Sequence, residues 1–82
     1  MLVFGYIETL DVIDSNGDKS QLEKCRIDSN EAVYTQGDLE GLHIGNMLIR
    51  TYSDGFTERF KIIGISGPTL IPGVKKIEVV EV

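Results

Sequence analysis

Leu42 to Ser66, LHIGNMLIRTYSDGFTERFKIIGIS, holds the clearest hairpin signal in the chain. Asp54-Gly55 separates two runs rich in aromatic and β-branched residues, and Asp-Gly is favoured in two-residue type I′ turns because both central positions need positive φ. That turn predicts a register in which Ser53 faces Phe56, Tyr52 meets Thr57, Thr51 meets Glu58, Arg50 meets Arg59, Ile49 meets Phe60 and Met47 meets Ile62. Side chains alternate along a strand, so the register sorts them onto two faces. Met47, Ile49, Phe60 and Ile62 form the predicted core face. Arg50, Tyr52, Thr57, Arg59 and Lys61 form a basic face, with the two arginines directly opposite, where like charges destabilise. Such a pair wants an anion: one of the chain's own carboxylates, or a phosphate or acidic patch on a partner. A different register with a bulged loop would separate the two arginines instead.

Working outward, Leu2 to Ile13 reads as a long first strand, with Leu2, Phe4, Tyr6, Leu10 and Val12 on one parity and a bend at Gly5. Asp14-Ser15-Asn16-Gly17-Asp18 is the first turn. Asn-Gly as a two-residue loop would set Asp14 opposite Lys19 as a cross-strand ion pair. The same segment imitates a calcium loop, but the sixth and twelfth positions are Lys19 and Cys25 instead of Gly and Glu, so the turn reading prevails. Gln21 to Ile27 is the returning strand, with Cys25 on the side of Leu10 as a small buried hydrophobe rather than a nucleophile. Asp28-Ser29-Asn30 is a further turn, and Glu31 to Thr35 a short strand carrying Val33 and Tyr34.

Gln36 to Leu42 is a polar, glycine-punctuated connection with one turn of helix expected. His43 stands alone, with no second His or Cys cluster to complete a zinc site and no serine–acid pattern around it. Gly67-Pro68 and Pro72-Gly73 bracket Thr69-Leu70-Ile71 as a structured loop or short edge strand. Leu70 and Ile71 either form a contact knob for a partner or fold over the open end of the barrel, the second being preferred. Val74 to Val82 is the last strand, with Ile77, Val79 and Val80 as its buried positions.

Five or six short strands, turn signals every ten or so residues and no amphipathic helix predict one all-β domain over residues 1–82. The expected architecture is a small antiparallel five- or six-stranded barrel, SH3-like or OB-like, with its central hairpin at residues 43–65. Ile44 to Ile49 followed by the Asp-Gly hairpin has the rhythm of SH3-like barrels.

Eighty-two residues suffice for one modest core. No apolar run approaches the ~20 residues of a membrane helix, and MLVFGYIETL lacks a basic n-region and a cleavage site. With a single cysteine, the expectation is a reducing location, cytoplasm or virion, and not secretion. The net charge is −5. Residues 1–41 carry nine acidic and three basic side chains, against four and five in residues 42–82. An acidic chain makes nucleic acid the lesser expectation, since phosphate affinity comes from clustered Lys and Arg. Charge asymmetry between halves suits a head-to-tail contact between copies, as in a ring.

No P-loop, dinucleotide fingerprint, nucleophile elbow or metal-ligand cluster is present, and a small barrel has little interior room, so neither catalysis, nor a cofactor, nor a metal is expected. Two classes remain. Arg50 and Tyr52, then Phe60, Ile62 and Ile65, then the closing KKIEVVEV form an R-x-Y…F-x-I-x-x-I pattern with a terminal strand. The chain in this respect resembles the small β-barrel head-completion or head-tail joining proteins of tailed bacteriophages, over its C-terminal half. The resemblance implies a viral structural subunit that forms a ring at the capsid portal or tail, works through protein–protein contacts and performs no catalysis. The alternative is a small regulatory module or inhibitor. It would engage nucleic acid, or a nucleic-acid-binding protein, through a charged barrel face. The candidate contact residues are Arg50, Tyr52, Arg59, Lys61, Leu70 and Ile71.

Overall fold

The two Asx-Gly turns decide the register of the whole sheet, and both close three-residue loops, not two-residue ones. In the computed structural model, which describes residues 7–82, Tyr52 N–H donates to Phe56 O (2.8 Å) and Gly55 N–H to Tyr52 O (2.9 Å). Asp14 and Asp18 repeat the pattern: Asp14 N–H donates to Asp18 O and Gly17 N–H to Asp14 O, both at 3.0 Å. A type I′ turn would need positive φ at Asn16 and Asp54. Only the glycines have it, at 83° and 91°. Ser-Asx-Gly therefore forms a type I turn followed by a left-handed glycine, the favoured three-residue hairpin loop.

One extra loop residue moves every pairing. The strands β4 (Met47–Thr51) and β5 (Thr57–Pro68) pair Met47 with Lys61, Leu48 with Phe60, Ile49 with Arg59, Arg50 with Glu58 and Thr51 with Thr57. The expected Arg50–Arg59 opposition is thus corrected. A one-residue slip sends side chains to the opposite face. Leu48 enters the core in place of Met47 and Ile49, which stay half-buried on the outside, while Phe60 and Ile62 are buried as expected. The first hairpin, β1 (Glu8–Ile13) with β2 (Lys19–Asp28), is corrected in the same way: Lys19 pairs with Ile13, and its ammonium meets Asp11 at 3.6 Å instead of Asp14. Asp14 Oδ1 instead accepts the N–H groups of Asn16 and Asp18. The expected positions Leu2 to Tyr6, with the bend at Gly5, lie outside the described residues.

The remaining strands are β3 (Ala32–Thr35) and β6 (Lys75–Glu81). All six close an antiparallel barrel in the order β1-β2-β3-β6-β5-β4, in which each strand has two neighbours and the sheet no open side. Leu10, Leu22, Cys25, Val33, Leu48, Phe60, Ile62, Ile77 and Val79 fill the interior. Burying each large aliphatic or aromatic side chain there is worth roughly 1.5–3 kcal/mol. Residues 36–46 cross from β3 to β4 without the expected helical turn. Leu42 is buried from this crossing and Leu39 packs against the core. Val80 is exposed, contrary to the expected burial.

The order also contains an internal two-fold relation. β1-β2-β3 and β4-β5-β6 are two three-stranded meanders joined along β1·β4 and β3·β6. Asp11 lies opposite Ile49, 38 positions further on. The same offset carries Ser15-Asn16-Gly17 to Ser53-Asp54-Gly55, Leu10 to Leu48 and Leu22 to Phe60. Val33 and Ile77 face each other at the second seam and are both fully buried. β5 departs from the symmetry through two bulges, at Ile63 and Ser66, the first of which re-phases the strand so that Ile65 pairs with buried Ile77 and packs against the core.

Candidate interaction surface

Arg50, Glu8 and Glu58 lie on the inward-facing parity of their strands at one mouth of the barrel. Arg50 donates Nε and Nη2 to the two carboxylate oxygens of Glu8, both at 2.7 Å, a bidentate arrangement. Its Nη1 reaches Glu58 Oε1 at 3.4 Å and Tyr52 Oη at 3.1 Å, and its Cζ stands 5.0 Å from the Tyr52 ring centroid. Tyr52 Oη donates to Glu58 Oε1 at 2.6 Å, and its ring lies 5.8 Å from Phe56. The Glu8 hydrogen bonds raise the Arg50 pKa. The Tyr52 hydroxyl, helped by Arg50, holds the Glu58 carboxyl below the usual range, and the same hydrogen bond raises Tyr52. The anion that Arg50 needs is supplied from within the chain, and two carboxylates around one guanidinium leave no net positive charge.

The slip in register splits the expected basic face. Arg59 and Lys61 point outward with Met47 and Ile49, away from Arg50 and Tyr52. A shallow groove of about 290 Å³ between Ile13, Met47, Ile49 and Arg59 marks this side.

Leu70 and Ile71 stand at the tip of the β5–β6 loop. Leu70 is fully exposed, so the loop does not fold over the barrel end as preferred from sequence. The tip is nonetheless tied down. Thr69 N–H and Oγ1 donate to Val74 O at 2.9 and 3.0 Å, Ile71 N–H donates to Thr69 Oγ1, and Val74 N–H donates to Ile71 O. Beside it runs a groove of about 710 Å³, with Arg26, Tyr34 and Lys76 across its floor. Sequence reasoning missed this groove. Its residues come from four strands, β2, β3, β5 and β6, and the β3·β6 pairing that brings them together follows from no local pattern.

Cys25 is buried, with Sγ donating to Leu22 O at 3.3 Å, and burial pushes its thiol up to about 11. At neutral pH it is a protonated, packed side chain. His43 is exposed at the start of a turn that Asn46 organises: Asn46 N–H donates to His43 O, and Asn46 Oδ1 accepts from His43 N–H. Among the described residues no group of three His, Cys, Asp or Glu side chains could hold a metal, and no helix is long and apolar enough to cross a membrane.

No family model matches the chain, and neither a curated protein nor a solved structure matches it.

Proposed function

We propose that this protein is a non-enzymatic structural subunit that acts through protein–protein contacts. The observation that carries the reading is the pre-organised apolar tip, Leu70 with Ile71, held outward by the hydrogen bonds of Thr69 and Val74. An exposed Leu–Ile pair on a fixed loop forfeits burial worth a few kcal/mol. A rigid apolar projection of this kind suits docking, because little ordering entropy remains to be lost on binding. The resemblance to phage head-completion and head-tail joining proteins extends the proposal to a virion subunit at a portal or tail, assembling as a homo-oligomer.

The alternative, nucleic-acid binding through a basic hairpin face, is weakened because Glu8 and Glu58 occupy Arg50, and Arg59 lies on another face. Light scattering of the wild-type chain and of Leu70→Asp with Ile71→Asp tests the assembly reading. Oligomers lost in the variant, with an unchanged melting temperature, are the expected result. A wild-type chain that stays monomeric over all concentrations and salts would overturn it, and a variant that assembles normally would remove the tip from it.

A further inference from the structure

The outer face of β2, β3, β6 and β5 is crossed by two parallel rows of residues. Cross-strand pairing sets Arg26 beside Tyr34, Tyr34 beside Lys76 and Lys76 beside Gly67. One step along the pleat, Asp28 lies beside Ala32, Ala32 beside Glu78 and Glu78 beside Gly64. The first row is basic and floors the groove of about 710 Å³; the second is acidic and floors an adjoining groove of about 650 Å³. The two rows are counterparts under the internal two-fold relation, which exchanges β2 with β5 and β3 with β6. The two counterpart rows thus differ in charge, one carrying Arg26 and Lys76 and the other Asp28 and Glu78. Among the described residues Arg26 and Lys76 make no ion pair, while Asp28 and Glu78 bond only to the hydroxyls of Ser29 and Ser66.

Apolar groups flank the rows. Leu70 and Ile71 stand at the end of the β5–β6 ribbon beside the basic row, and Ile63 and Val80, also exposed, beyond the acidic row on the same ribbon.

We propose that this face binds a second copy of the chain, as a two-fold dimer whose axis runs across the strands between the two rows. The proposal rests on the assembly reading and names its partner and its surface. Rotation about that axis keeps each strand over its own counterpart and exchanges the rows. Arg26 of one copy then faces Asp28 of the other, Lys76 faces Glu78, Tyr34 lies over Ala32, and Gly67 lies over Gly64. The same rotation brings Leu70 and Ile71 onto Ile63 and Val80. Every contact occurs twice, as an isologous interface requires. The alternative axis, along the strands, would lay the basic row on the basic row and the acidic row on the acidic row, and is disfavoured by charge. Four strands spaced ~4.8 Å apart span about 20 Å along the curved wall of the barrel, with β3 and β6 at its centre. A copy meets at most roughly 400 Å² of this wall, about 800 Å² for the pair and below the ~1,000 Å² of a stable specific interface, so a weak, transient dimer is expected.

Sedimentation equilibrium from about 1 μM to 1 mM, at low and high salt, supplies the measurement. The wild-type chain should dimerise, at least tenfold more weakly in high salt, because four of the contacts are ionic. Two charge-reversed variants, R26E with K76E and D28K with E78K, should each be monomeric, since each makes both rows alike. Mixed one to one, they should form a heterodimer, because each acidic row again meets a basic one. All four positions lie on the outer surface, and circular dichroism checks that each variant is folded. Oligomers that persist in both variants would overturn this face while leaving the assembly reading in place. Variants that are monomeric alone and fail to pair when mixed would overturn the proposed alignment of rows. A wild-type monomer throughout would overturn both proposals.

Discussion

Glutamine at Glu8 and at Arg50, singly and together, isolates the ion pair that the corrected register creates. The two Arg50–Glu8 hydrogen bonds are 2.7 Å long, and the side chains are 26% and 30% exposed. Two unit charges ~4 Å apart attract by about 4 kcal/mol at an effective dielectric constant of ~20. Desolvation and side-chain ordering remove most of that, leaving more than the 0–1 kcal/mol of a surface pair and less than the 3–5 kcal/mol lost when a fully buried pair is broken. A coupling energy of about 1–1.5 kcal/mol is expected from the double-mutant cycle. Arg50→Gln should cost more than Glu8→Gln, about 2 against about 1 kcal/mol, because it leaves Glu8 and Glu58 facing one another, whereas Arg50 without Glu8 keeps Glu58 and Tyr52. For a domain of this size 2 kcal/mol lowers the melting temperature by roughly 8–16 °C. Urea unfolding followed by far-ultraviolet circular dichroism measures each corner of the cycle. A coupling below ~0.3 kcal/mol, or equal costs for the two single variants, would refute the reasoning.

Three further substitutions probe single features of the fold. Ser29 and Asn30 both hold positive φ, 54° and 58°, without being glycine; Ser29→Gly should raise stability by about 0.5–1 kcal/mol in thermal unfolding, and Asn30→Gly by less, because Asn tolerates this region better. Loss of stability in Ser29→Gly would show that the serine side chain matters more than the backbone strain. The Glu58 pKa is lowered on folding, so its contribution is fully present above the ordinary carboxylate range near ~4.3 and is lost as pH falls through the lower folded value. Tyr52→Phe removes the first cause of the shift, and the Glu58 side-chain titration followed by nuclear magnetic resonance should move up toward the ordinary value; an unmoved midpoint would assign the shift to Arg50 alone.

Strand placement was legible because turns and alternation are local. Asp-Gly and Asn-Gly mark the hairpins, and Leu10, Val33, Phe60, Ile62 and Ile77 stand out as interior residues by parity. Loop length was not legible, since Asn-Gly serves both the two-residue and the three-residue turn, and the choice rests on whether Asn16 and Asp54 take positive φ. That single choice moved Arg50 from a basic face to a carboxylate pair. The repeated Ser-Asx-Gly was a visible signal for both the shared loop type and the internal two-fold relation. The Arg26, Tyr34 and Lys76 row was hidden for a different reason: it depends on β3 pairing with β6 across about forty residues of chain, which no short-range pattern encodes.

The two-fold arrangement also shapes how the chain finds its fold. Within each meander all pairings join consecutive strands across loops of a few residues, so each half can search its own hairpins on the microsecond scale typical of such units. Among the described residues the seams β1·β4 and β3·β6 are the only strand pairings that join one half to the other, and they close the barrel together. The entropic barrier therefore concentrates in one docking event between two half-barrels, tethered by residues 36–46, and that crossing sets the local concentration at which they meet. Leu42, buried from the middle of the tether, makes the linker part of the core it helps to assemble.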